Sequence, residues 1–220
     1  VVRLKGGDPM IFGRGGEEAA ELAAAGVKFE IVPGISSTIA GPCYAGIPVT
    51  HRDHNTQLTI FTGHEDPSKG ASDVDWEAIA RVGGTIIVLM GVANVAEICA
   101  RLRSGGLSAD TPAAAVRWGT RPDQRTVRAT LGTLAEQELA APAVIVVGEV
   151  AADELEWFTD RPLFGRTVVV TRAPEQASRL TDGLRERGAE VVNLPTIEIA
   201  EPSDGGAALL AATADVGRYD

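Results

Sequence analysis

The sequence predicts an α/β protein with a mixed sheet, and three observations carry that expectation. Two continuous apolar runs of strand length, GTIIVLMG and APAVIVVGEV, read as strands buried on both faces. After the first of them, VANVAEICARLRSGGL sets apolar residues at helical spacing ahead of a Gly-Gly stop. PAAAVRWGT and QRTVRATLGTL then follow in close succession as further strands, which implies antiparallel members in the sheet.

Earlier in the chain, Val1 to Leu4 read as the end of a strand running into a glycine loop. Glu17 to Ala25 form a helix, stopped by Gly26, a residue that accepts the left-handed conformation of helix ends. FEIVPG is a short strand. ISSTIAGPCYAGI is small and apolar, as a tightly packed helix broken at Gly41-Pro42 would be. LTIFTGH alternates like a strand, and WEAIARVG is a helix. Charge, Pro and Gly meet in FTDRPLFGR, the clearest boundary. Beyond it RTVVVTR, PEQASRLTDGLRERG and AEVVNLPTIEI make one strand–helix–strand unit, the start of another α/β domain. The expected organisation is therefore 1–157, a linker over 158–165, and 166–220. Because the chain opens inside a strand and closes at ALLAATADVGRYD, it reads as a piece cut at both ends.

Composition narrows the function. The 220 residues are 45% hydrophobic, enough for one or two globular domains. A net charge of −10 and 5% aromatic content oppose a general nucleic-acid surface, which needs a basic footprint and stacking rings. No run approaches the ~18 apolar residues of a membrane-spanning helix. Cys43 and Cys99 lie far apart in apolar settings and read as buried free thiols, not a disulfide or zinc site, with a reduced cytoplasmic location as the default.

The chemistry-bearing stretches are few. Gly6-Gly7-Asp8-Pro9 follows a strand: bare backbone lets N–H groups approach a ligand, and Asp8 can accept hydrogen bonds from it. The same residues also fit an ordinary turn. Neither a G-x-G-x-x-G fingerprint nor the G-K-[ST] of a phosphate loop is present. Gly13-Arg14-Gly15-Gly16 leads into Glu17 and Glu18, acids suited to a first helical turn, with Arg14 able to meet a substrate carboxylate. IPVTHRDHN holds His51, Arg52 and His54. It reads as a solvated loop or an anion-binding one, and without a third ligand at convincing spacing a metal site is not expected. Met90-Gly91 ends an apolar strand, where the thioether either fills a core gap or lines a cleft at the strand's carboxyl end. Trp118-Gly119-Thr120 raises the same choice. No Ser-His-Asp set or Cys-His pair is placed by spacing, so the residues alone stop at an α/β ligand-binding enzyme or a non-catalytic binding module.

RLKGGDPMIFGRGGEE, VPGISS, AGIPVTHRD, TGHE, VLMG, WGT and VVGEV occur in the order in which the uroporphyrinogen-III C-methyltransferases carry them. Residues 1–157 resemble that family, and LFGRTVVVTRAPEQASRLTDGLRERGAEVVNLPTIEI resembles the opening of uroporphyrinogen-III synthase. The resemblance implies the tetrapyrrole-methylase fold, two α/β domains with S-adenosylmethionine between them, the first here incomplete. It implies transfer of two methyl groups to uroporphyrinogen III, at C2 and C7, giving precorrin-2 without a metal, in a homodimer. By matching motif positions the cofactor would touch Gly6, Gly7, Asp8, Ile11, Ser36, Ser37, Met90 and Gly119, with Ser36-Ser37 standing where relatives often carry Thr-Ala. Arg14, His51, Arg52, Arg117 and Arg121 are the implied partners of the substrate's carboxylates. The family's acid and base groups match no position in this sequence, so the catalytic residues are unknown. Another precorrin methyltransferase, or a relative acting on ribosomal RNA or diphthine, is the rival within the fold; AGIPVTHRD, the synthase-like segment and the acidic charge weigh against it.

Overall fold

The computed structural model describes residues 1–63 and 74–218; His64 and Glu65 of the TGHE stretch lie outside them. Its centre is a five-stranded sheet of β1 (Leu58–Thr62), β2 (Thr85–Leu89), β3 (Pro112–Arg117), β4 (Arg125–Thr130) and β5 (Ala143–Val147), in the order β1-β2-β5-β3-β4. β1 and β2 are parallel, whereas β5 runs against both β2 and β3, and β4 against β3. Consequently β1, β2 and β3 all point the same way, and their carboxyl ends share one edge. The register fixes that edge as the row Thr62, Leu89, Val144, Val116 and Thr126.

Alternation along the strands builds two apolar layers. On one face Ile86, Val88, Ala113, Ala115, Ile145 and Val147 meet Ile98, Cys99 and Leu102 of α4 (Val95–Ser104). α3 (Trp76–Val82) packs beside α4, with the Trp76 ring edge-on to Phe61 at 5.2 Å. On the opposite face Ile87, Leu89, Ala114, Val116, Val144 and Val146 meet Ala45, Ile47 and Val150. That second layer receives α2 (Ser37–Tyr44). Burial on both sides explains why β2 and β5 read as unbroken apolar runs.

α2 continues through Pro42, where the sequence suggested a break. Proline removes one backbone donor, but the helix is short, and Ala45 N–H closes its end on the carbonyls of Gly41 and Pro42. Two further expectations differ. Residues 1–4 and 29–32 form no strand, since a strand forms only when a neighbour takes its hydrogen bonds and the described residues supply none. α1 (Gly15–Ala24) lies between them, and Gly26 after it has the left-handed φ of 67° expected of a helix stop. Cys43 is exposed on α2 while Cys99 is buried, so one thiol of the two fits the buried reading.

The strand–helix–strand unit after residue 166 forms as read: β6 (Thr167–Val170), α5 (Pro174–Glu186) and a parallel β7 (Glu190–Asn193), followed by α6 (Ala207–Ala214). The expected linker is packed. Phe158 is buried, in edge contact with Tyr44 at 4.7 Å and Phe164 at 5.4 Å, and the indole N–H of Trp157 donates to the Cys43 carbonyl at 3.0 Å. No helix among the described residues is long and apolar enough to cross a membrane.

Truncating Ile145, fully buried in the central strand, to Ala should cost ~2–5 kcal/mol in chemical denaturation, the usual range for such a cavity. Burial also pushes the Cys99 thiol up, so native alkylation followed by mass spectrometry should label Cys43 and spare Cys99.

Candidate functional site

The glycine loop is anchored by its own carboxylate. Asp8 accepts the backbone N–H of Met10 at 2.8 Å and, across 26 residues, that of Gly34 at 3.0 Å. These donors hold its carboxyl below the usual carboxylate range, the Gly34 N–H first. Gly7, immediately before Asp8, has φ of 73°, and a Cβ there would lie 3.5 Å from the Ile35 carbonyl and 3.7 Å from Ser36 Cα. Gly6 faces open space on its side. The strip is braced further by Lys5, which donates to the Gly13 carbonyl and pairs with Glu18 at 2.9 Å. Ile11 is exposed beside the loop.

Residues 34–36, held by the loop, lead directly into α2. The hydroxyl of Ser36 caps that helix by accepting from Thr38 N–H at 3.3 Å, and Ser37 is its first residue. One turn on, Gly41 meets the carboxyl edge of the sheet: a Cβ on Gly119 would sit 2.7 Å from Gly41 Cα. Only a residue without a Cβ at position 119 permits this approach. Gln124, itself buried, holds the two pieces together, donating to the Tyr44 carbonyl at 3.0 Å and accepting from Thr120 N–H at 3.0 Å. Arg128 anchors the end of α2 from below through the Ala45 carbonyl at 2.9 Å and the Ala151 carbonyl at 2.7 Å.

Along the same edge three non-glycine residues take left-handed backbone: Met90 (φ 54°) after β2, and Trp118 (φ 50°) and Thr120 (φ 78°) after β3. Such conformations cost energy and concentrate where a chain turns sharply at a working surface. Here they leave the Met90 side chain 53% exposed just past its strand, so it does not fill the core. Gly91 beside it is pressed against Gly63, whose carbonyl accepts from the Asn94 side chain at 2.7 Å.

The structure thus brings Gly6, Gly7, Asp8, Ser36 and Ser37 into one contiguous loop-and-helix end, and joins α2 to Gly119 on the ledge that also carries Met90. Arg117 and Arg121 belong to that ledge too, their guanidiniums 4.8 and 4.3 Å from the Trp118 ring centroid. Arg121 also pairs with Asp123 at 3.0 Å. Arg14 is exposed and engaged by Glu17 at 2.7 Å. His51 and Arg52 do not join them. Asn55 ties their loop to the Gln57 carbonyl and the Thr85 hydroxyl, each at 2.8 Å, at the amino ends of β1 and β2. From Thr85 to Leu89 a strand rises ~13 Å, so those two residues sit at the opposite edge. Asp53 N–H donates to His51 Nδ1 at 3.2 Å, and His54 lies 3.8 Å from Asp153, local contacts that shape the loop. No group of His, Cys, Asp and Glu able to hold a metal occurs among the described residues. Gln124 and Gly41 escaped the sequence reading: a lone Gln carries no motif, and Gly41 resembled a helix break.

Residues 1–135 match the tetrapyrrole (corrin/porphyrin) methylases. The chain belongs to that family. It is 53% identical over 154 residues to the S-adenosyl-L-methionine-dependent uroporphyrinogen III methyltransferase of Methanosarcina barkeri, covering 68% of this chain and 60% of that one. It is 44% identical over 205 residues to the porphyrin biosynthesis protein HemD of Ruminiclostridium josui, covering 90% of this chain and 40% of the relative. Among solved structures it resembles the Thermus thermophilus uroporphyrin-III C-methyl transferase complexed with S-adenyl homocysteine, with TM-score 0.60 and 39% identity over 68% of this chain and 66% of that one. The chain therefore spans only part of the relatives it matches.

Gly119→Ala must push α2 off the ledge and should cost ~1–3 kcal/mol in thermal unfolding. Gly41→Ala, whose Cβ would meet Val144 at an ordinary 3.5 Å, should hold or gain stability. Since the folded state depresses the Asp8 pKa, its contribution is present above the usual carboxylate range and fades as pH falls through the lowered value; Asp8→Asn should flatten that acid limb of the stability profile.

Proposed function

We propose that the protein carrying this chain methylates uroporphyrinogen III with S-adenosylmethionine, at C2 and C7, yielding precorrin-2 for sirohaem or cobalamin synthesis. The observation that carries this reading is the continuous path from the Asp8-anchored glycine loop through the Ser36-capped helix to the Met90–Gly119 ledge. Every motif the resemblance assigns to the cofactor lies on that path. The donor types suit it: bare peptide edges at Gly6, Gly7 and Gly119 for a nucleoside and an amino-acid moiety, a hydroxyl at the start of α2, and an exposed thioether at Met90 beside the place of a sulfonium.

S-adenosylmethionine supplies an electrophilic methyl: a pyrrole carbon bonds to it, the methyl–sulfur bond breaks with its electron pair left on sulfur, and the macrocycle releases a proton. The residues of this chain bind and orient, holding donor and acceptor in line so that the encounter becomes effectively unimolecular. Asp8 works through the loop it anchors. Arg117 and Arg121 offer planar, always-charged donors to the substrate's carboxylates. No residue of this chain is assigned the proton transfer.

A uroporphyrinogen-III synthase fused behind the methylase extends the same reading. It rests on the parallel β6–α5–β7 unit, on the synthase-like sequence, and on the alignment with the Ruminiclostridium relative running past the methylase boundary. A homodimer in the cytoplasm completes it, the thiols being free.

The full-length protein, given S-adenosylmethionine and enzymatically made uroporphyrinogen III, should form a doubly methylated tetrapyrrole detectable by absorbance after oxidation and by mass. A product with no added methyl would refute the reading. Adding hydroxymethylbilane in place of uroporphyrinogen III should give the same product if the synthase is present.

A further inference from the structure

Opposite the face that receives α2, the carboxyl edge of the sheet holds a cavity of about 320 Å³. Its floor is Ala115 and Val127, its wall includes Leu139, and its rim carries Arg117, Arg125 and Glu138. Arg117 and Arg125 are direct partners in the β3–β4 register, so both side chains leave the same face of the sheet, and both line the cavity. Like charges directly opposite across a ladder repel. No ion pair among the described residues offsets this, Glu138 included. Moreover, the Arg117 Nε is buried without any acceptor, an arrangement that is costly unless something supplies one. The Trp118 ring, 4.8 Å from the Arg117 guanidinium, fixes its plane.

We propose that the Arg117–Arg125 pair with its cavity is a carboxylate-binding subsite. A carboxylate laid between two guanidiniums cancels their repulsion, offers oxygens to the orphaned Nε–H, and matches the fork of donors that arginine presents. The adjoining apolar floor suits the methylene stem of a carboxylate-bearing arm. Gly119 is two residues from Arg117, at most ~7 Å along the backbone, so such an arm would belong to a molecule seated at the ledge. Resting on the function proposed above, the arm is an acetate or propionate of the tetrapyrrole, and Arg125 is a specificity-determining residue that the motifs did not indicate.

The test uses the full-length protein and uroporphyrin III, the stable, fluorescent, oxidised form of the macrocycle, titrated by fluorescence. Arg125→Gln, at an exposed position, should weaken binding about tenfold or more, the scale of losing one charged partner. Arg117→Lys, which keeps the charge and loses the fork, should weaken it too. Both variants should retain S-adenosylhomocysteine affinity by calorimetry, which a merely unfolded site would lose. Raising salt should weaken wild-type binding more steeply than that of Arg125→Gln. Unchanged uroporphyrin affinity in Arg125→Gln overturns the subsite. If the wild type binds uroporphyrin in an arginine-dependent way yet methylates nothing, the subsite stands and the proposed methylation falls.

Discussion

The contact on which the rest of the site depends is the backbone-to-backbone approach of Gly41 in α2 to Gly119 at the end of β3. It sets how deeply the helix settles on the sheet. Through the helix it sets where Ser36 and Ser37 stand, and through residues 34–36 it sets the glycine loop that Asp8 fastens to Gly34. The bare α-carbon of Gly119 makes the approach sterically permissible, but it contributes little attraction of its own. The attraction comes from the apolar layer of Ile87, Val144 and Val146 beneath and from two polar clamps, the buried Gln124 and the half-buried Arg128. Each clamp satisfies carbonyls that the end of a helix leaves without partners.

The strand order supplies the second condition. Because β5 is inserted antiparallel between β2 and β3, those two strands remain parallel to each other without being neighbours. Their carboxyl ends are thereby spaced by one strand, with Met90 on one side and Trp118-Gly119 on the other. The chain turns abruptly at both places, and the left-handed residues there are the local cost of presenting side chains outward instead of continuing the ladder. A protein of net charge −10 gathers Arg117, Arg121 and Arg125 around this edge, with Asp123 pairing Arg121 and Glu138 on the same rim.

Much of this was legible in the sequence, for identifiable reasons. Doubly buried strands such as β2 and β5 announce themselves because both faces select apolar residues, and the β6–α5–β7 unit shows its change of period. The segments 1–4 and 29–32 misled because β-prone composition states what a segment can do, while pairing depends on a neighbour. Pro42 misled because a helix of eight residues tolerates one missing donor. The separation of His51 and Arg52 from the ledge could not be read at all: their motif lies close in sequence to α2, yet Asn55 ties it to the far edge through Thr85. Motif order carries membership of a family, but it carries no information about which end of a strand a loop occupies.

The packed segment 158–165 has a consequence for how the two halves communicate. Its composition is that of a spacer, but Phe158 wedges between Tyr44 and Phe164, and Trp157 hangs from the carbonyl of Cys43. Tyr44 and Cys43 are the last residues of the helix whose other end carries Ser36 and Ser37. The second unit is therefore grafted onto the frame that shapes the first unit's ledge. Lengthening the joint would not merely let the halves drift apart; it would loosen the helix from behind, and the site would register a change made more than a hundred residues away along the chain.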